Sequence, residues 1–115
     1  MIGLYKSFRI PAKEQMLPTD PKERKSLPVF TGVLDYFPDA IPEVARVSKL
    51  GNDQHNPGKP LHWAREKSTD QLDSCLRHLL DHRKDKFDKD GGRHLAKAVW
   101  RLLAELQLDI ESEYS

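Results

Sequence analysis

Two amphipathic stretches joined by a short charged turn constrain this chain more than any other feature. The first opens on Ser68-Thr69-Asp70-Gln71, the S-x-x-Q spacing of a capping box. Leu72, Cys75, Leu76, Leu79 and Leu80 follow at i, i+3, i+4, i+7 and i+8, the stripe of an amphipathic helix that reaches about Lys84. The run RKDKFDKDGG at 83–92 is a charged turn in which Gly91 and Gly92 reset the chain and Asp90 is placed to cap the last helix. The second stretch carries Leu95, Ala98, Val99, Leu102, Leu103, Leu106 and Ile110 on one broad face, from about Gly92 to Leu108 or beyond. Two such helices on a short link form an antiparallel hairpin, and the leucine faces are the expected core, with Cys75 an inert member of it.

The segment before the hairpin supplies a third helix, from about Pro38 to Leu50. Asp39 is its N-cap, Pro42 sits in the first turn, Ile41, Val44, Ala45 and Leu50 form the stripe, and Gly51 is the residue just past the end. Between 29 and 37, VFTGVLDYF is apolar and aromatic, and its period does not separate helix from turn. Pro11, Pro18, Pro21 and Pro28 make residues 1–28 an extended arm, with PKERK solvated. Residues 112–115 are a frayed acidic tail. No strand or repeat appears. The expected fold is all-α: an antiparallel helical hairpin plus a preceding helix, a small bundle over 29–111 with an extended arm and a long ordered loop.

Composition narrows the function classes. With 115 residues the chain suits one domain, and 37% hydrophobic against 32% charged residues means a small core. Self-association would complete its burial, so a homo-oligomer is expected. A net charge of +1 argues against stable nucleic-acid binding. One cysteine excludes an internal disulfide framework. No apolar run approaches the roughly 20 residues of a membrane span, and the first residues lack a signal peptide's apolar region. These features describe a cytoplasmic protein with no membrane partner.

The chemistry-bearing residues lie in the loop and on the helix flanks. Gly51 to Lys67, GNDQHNPGKPLHWAREK, has no helical or strand period, and its His, Trp and Asn content is that of a functional loop rather than a linker. Asn52, His55, Asn56, Lys59, His62, Trp63, Arg65 and Lys67 are its candidate ligand contacts. On the last helix His94, Lys97, Arg101 and Glu105 share a flank, and an Arg101–Glu105 pair would leave His94 and Lys97 free. His78 and His82 share a flank of the preceding helix. If the two flanks face one cleft, the loop closes it as a lid. Cations, imidazoles, amides and a flat aromatic suit a phosphate-bearing ligand with a base to stack.

Each feature has a plainer reading. His78 and His82 have zinc-binding spacing but lack the intervening Glu of H-E-x-x-H. Asp73, Arg77 and Asp81 fit a solvated salt-bridge row. Asp70 and Asp73 could hold a divalent cation, yet carboxylates are favoured in any first helical turn. Trp100 lies off its helix's stripe and reads as a packing or interface residue.

CLRHLLDH at 75–82 followed by DKDGGRHLAKAVWRLLAELQLDIE at 88–111 resembles a phage-associated family, the dATP/dGTP diphosphohydrolase N-terminal domain, a relative of the MazG-like all-α nucleotide pyrophosphohydrolases. Lys49-Leu50-Gly51 fits the family's glycine-ended helix and His62-Trp63 its aromatic loop pair. Arg77-His78-Leu79 fits its R-H-L helix, and Gly92, His94 and Leu95 its last helix. The resemblance covers roughly 29–111. It implies an all-α oligomer that cleaves a purine deoxynucleoside triphosphate between the α- and β-phosphates, with Mg²⁺ or Mn²⁺ held by carboxylates. It adds Lys49 and Arg77 to the nucleotide contacts and Glu43 to Asp70 and Asp73 as metal ligands. Here Glu43 is followed by Arg46 where an acidic row is the family pattern, and Lys97 replaces the family's second histidine.

Three readings fit these residues. In the first, His78 and His94 act as base or phosphate contacts in a pyrophosphohydrolase, Lys59, Arg65 and Lys97 hold phosphates, and Trp63 covers the base. In the second, a sponge of phage type sequesters a cyclic or ADP-ribose-like nucleotide signal between subunits without hydrolysis, in the host cytoplasm. In the third, the chain is an oligomeric adaptor whose loop enters a partner.

Overall fold

Four α-helices, numbered in chain order, and one π-helical turn make up the helical structure of residues 17–113, the residues that this computed structural model describes. Most of the expected arm and the end of the tail lie outside them. The described part of the arm departs from the extended reading: Pro21–Ser26 form a short helix, α1. Asp20 accepts a hydrogen bond from the Glu23 N–H at 3.0 Å, and Pro21 stands in the first turn, where its missing N–H is no loss. The proline that argued against a helix thus starts one. Phe30–Leu34 then make a single π-helical turn.

Helix α2, Ala40–His55, starts one residue after Asp39, whose side chain makes no capping hydrogen bond, and runs past Gly51. The continuation is polar, so no apolar stripe marks it. Tertiary contacts hold it instead. Asn52 is buried, Lys49 pairs with Asp53 one turn on, and the Gln54 amide donates to Asp90 at 3.0 Å. The loop therefore begins at Asn56 rather than at Gly51.

Helices α3, Gln71–His82, and α4, His94–Glu111, form the expected hairpin. Its antiparallel sense is set by the contacts: His78 near the end of α3 meets His94 at the start of α4, while Gln71 at the start of α3 meets Arg101 in mid-α4. The capping box is replaced by another arrangement. Ser68 and Gln71 both accept from the Arg101 guanidinium, at 2.9 and 3.1 Å, and no side chain among the described residues caps α3. Arg101 is thereby taken from the expected partner Glu105. In the turn, Phe87 and Arg93 form an isolated antiparallel bridge. Gly91 adopts φ +86°, and a Cβ at Gly92 would lie 2.8 Å from the Lys97 side chain.

The core reverses the expectation. Buried positions on the hairpin are Gln71, Ser74, Cys75, His94, Ala96, Ala98 and Ala104, with Ala98 only 2% exposed and Gln71 1%. The leucines lie outside: Leu76 is 59% exposed, Leu80 60% and Leu106 53%, and Leu72, Leu79, Leu95, Val99, Leu102 and Leu103 are exposed too. Small side chains on the inner faces let the two helices approach closely. In an antiparallel pair the leucine flanks, both turned the same way from the inner faces, fall on one side of the hairpin. The other side carries Ala96, Trp100 and Ala104 at i, i+4, i+8. There α2 packs on α4 and the loop supplies Trp63.

Candidate functional site

The hairpin seam gathers the titratable groups. His78 stands on the inner face of α3 with Gln71, Ser74 and Cys75, and His94 opens α4 just after the turn. Their Nδ1 atoms are 3.0 Å apart, with the rings tilted by 37°. His94 is buried and His78 half-buried. Desolvation, then the nearby Lys97 charge and the His94 ring, hold the His78 imidazole below its ordinary pKa. The neutral form is favoured, which suits a base or a ligand atom more than a cation.

Asp81, one turn beyond His78 on α3, completes a group of three. Donor atoms of His78, Asp81 and His94 all lie within 4.8 Å of one another. Sequence reasoning placed Asp81 in a ladder with Asp73 and Arg77. Arg77 instead turns to Asp70 at 2.8 Å, and the Asp81 carboxylate has no hydrogen-bond or ion-pair partner among the described residues. Its i+3 offset from His78 was the readable signal.

Lys97 is not free. Its ammonium bridges Asp88 at 2.9 Å and Asp90 at 2.7 Å, closing the turn onto α4. Burial opposes its charge, but the two carboxylates outweigh it and raise its pKa. Asp90 shows the converse. Burial works to raise its carboxyl, yet hydrogen bonds from Lys97, the Gly92 N–H and Gln54 bring it down to about 2. Asp88 is lowered by its Lys97 hydrogen bond first and by the Lys89 N–H second. The ammonium therefore fastens the loop that presents His94, close enough to act electrostatically on His78.

The loop up to Lys67 docks elsewhere, and only its end at Ser68 reaches the seam. Asn52 is its anchor: the carboxamide donates to the Lys59 carbonyl at 3.0 Å and accepts from the His62 N–H at 3.1 Å and from Asn56 at 3.3 Å. Trp63 meets Trp100 edge to face with centroids 5.8 Å apart, and the Arg65 guanidinium lies over the Trp63 ring at 4.3 Å. Arg65 also pairs with Glu111, at the opposite end of α4 from His94, about 26 Å along the axis. The loop is a clasp on the α4 flank rather than a lid over the imidazoles.

Of the predicted site residues, the structure brings together His78 and His94, with Lys97 beside them through the turn. Asn52 and Asn56 serve the loop's own hydrogen bonds, Lys49 pairs with Asp53, and Arg77 with Asp70. His55, Lys59, His62 and Lys67 are exposed, and no hydrogen bond or ion pair joins them to the seam among the described residues. His82 stays on the α3 inner face, its Nδ1 buried without a partner.

The carboxylates expected to hold Mg²⁺ or Mn²⁺ do not converge. Glu43 lies between Arg46 at 3.2 Å and Arg93 at 3.5 Å. Asp70 is held down by Arg77 and Ser68 hydrogen bonds, and Asp73 is exposed. Among the described residues the group that could surround an ion is two imidazoles and one carboxylate. Mg²⁺ prefers an all-oxygen octahedron, and two imidazoles with one carboxylate do not fit it.

No helix among the described residues is long and apolar enough to cross a membrane. Residues 19–114 match the family described as dATP/dGTP diphosphohydrolase, N-terminal. Neither the curated proteins nor the solved structures gave a match.

Proposed function

The chain belongs to the dATP/dGTP diphosphohydrolase N-terminal family, and from that premise we propose that it binds a purine deoxynucleoside triphosphate and hydrolyses it to the monophosphate and pyrophosphate. The observation that carries the reading is the His78–His94 pair at 3.0 Å, in which desolvation and then the Lys97 charge hold the His78 imidazole below its ordinary pKa. A neutral imidazole accepts a proton from attacking water or donates to a phosphate oxygen. Arg101, anchored on Ser68 and Gln71 in the same seam, adds positive potential there. Metal-free attack by a water polarised at the imidazoles is slow chemistry, so the family's activity in this chain depends on whatever further group the seam accepts.

A second reading, retention of an intact nucleotide, draws on a different observation. Glu43 and Asp70 are tied to arginines and stand apart from the histidines, which favours grip over Mg²⁺-dependent turnover.

We further propose that a second copy of this chain covers the leucine face of α3 and α4. The low hydrophobic content and the outward leucines support this partner, because an antiparallel hairpin doubled on such a face becomes a four-helix bundle.

One assay separates the readings. The protein is incubated with dATP, dGTP and their ribonucleotide, cyclic and ADP-ribose counterparts, and pyrophosphate release and nucleotide retention are followed separately. Pyrophosphate from a purine deoxynucleotide, lost in His78→Asn, is the expected result. Retention of unchanged nucleotide selects sequestration, and no binding by any member of the panel overturns both readings.

A further inference from the structure

The geometry points to a transition-metal site made by His78, Asp81 and His94. The imidazole pair and the carboxylate come from two elements that the hairpin turn alone brings together, and the Asp81 carboxylate has no other partner among the described residues. Two imidazoles and one carboxylate are the donor set of borderline first-row ions such as Zn²⁺ and Co²⁺.

The distances suit one ion. Donors bound at about 2.1 Å in a tetrahedral site stand about 3.4 Å apart. The histidine Nδ1 atoms, at 3.0 Å, stand slightly closer than that and need only a small separation of the rings. The remaining separations reach at most 4.8 Å, and Asp81 is exposed, so a rotamer adjustment at the surface closes them. His94 is fixed by the bridged turn: its N–H donates to the Lys86 carbonyl at 3.0 Å, and Lys97 fastens the turn through Asp88 and Asp90. Two ligands are thus held in the seam, and the third closes from solvent. Three protein donors leave at least one position for water or an oxygen ligand. Without an ion, the alternative is a single hydrogen bond between the two rings.

The ion takes up the imidazole lone pairs that the nucleotide reading gives to proton transfer, and the ion alone as the probe keeps the two tests distinguishable. The untagged full chain, stripped with a chelator, is titrated with Zn²⁺ by calorimetry and with Co²⁺ by visible absorption. One equivalent of Zn²⁺ is expected to bind, and Co²⁺ to give d–d bands displaced by Zn²⁺. Asp81→Asn, at an exposed position, is expected to keep the fold by circular dichroism and lose at least tenfold in affinity. His94→Asn is expected to abolish binding, and His82→Gln, outside the triad, to retain it. No binding by the wild-type chain, or affinity unchanged in folded Asp81→Asn, overturns the site. Loss in His82→Gln equal to that in Asp81→Asn overturns this ligand set.

Discussion

The seam between α3 and α4 and the leucine face beside it reverse the usual division of a helical hairpin. The seam buries Gln71, Ser74 and His94 together with Cys75 and alanines, while the neighbouring face leaves Leu76, Leu80, Leu102 and Leu106 to solvent. A polar seam stays buried because most of its groups are satisfied: Arg101 bridges Ser68 and Gln71, and the His78 and His94 imidazoles pair, with His82 Nδ1 the exception. A leucine face has no such internal remedy. Its stabilisation comes only from another apolar surface. The hairpin therefore separates two surfaces, a polar seam inside and an apolar face outside, and the proposed chemistry and the proposed partner fall on different ones.

Making the outer face polar puts this division under the greatest stress. Leu76→Glu with Leu102→Glu is expected to weaken self-association by about 4 kcal/mol, roughly a thousandfold in dissociation constant. Light scattering across a dilution series would read it, and a wild-type chain that is monomeric at high concentration removes the proposed partner.

A smaller effect is expected where the loop closes the opposite side. Trp63 is half-buried against Trp100 beneath Arg65. Trp63→Ala is expected to cost about 2 kcal/mol of stability, seen in denaturant unfolding. If the melting curve is unchanged while nucleotide affinity falls, the ring is a ligand platform after all.

The smallest effect belongs to the turn that presents His94. Asp90 titrates near 2 in the folded chain against an ordinary 3.8. Its contribution is thus fully present above about pH 4 and is lost as pH falls through 2, because the unfolded carboxyl takes up its proton first. Between pH 4 and 2 the wild type is expected to lose more stability than Asp90→Asn. Equal losses would show that the Asp90–Lys97 pair adds nothing to the turn.

Much of this was legible in the chain. The stripes at 72–80 and 95–110 located both hairpin helices, and the helix flanks and the family resemblance singled out His78 and His94, with spacing pairing His78 to His82 instead. Asp81 was not legible as their partner, because on a single helix it also fits a ladder with Arg77, and only the path of Arg77 to Asp70 frees it. The extension of α2 past Gly51 was hidden for a related reason. Asn52 gains its place from bonds to Lys59 and His62, and residue patterns carry no record of a hydrogen bond across a loop. Trp100 was recognised as off-stripe, but its partner Trp63 belongs to a segment without a period.

Helical period and short motifs are local properties. The order of residues alone therefore specifies that this protein is helical, where its hairpin lies and which family it belongs to. Which flank of each helix turns inward is a tertiary choice. An amphipathic stripe marks an apolar face but not what meets it, and here small and hydrogen-bonded side chains take the seam and leave the leucines exposed.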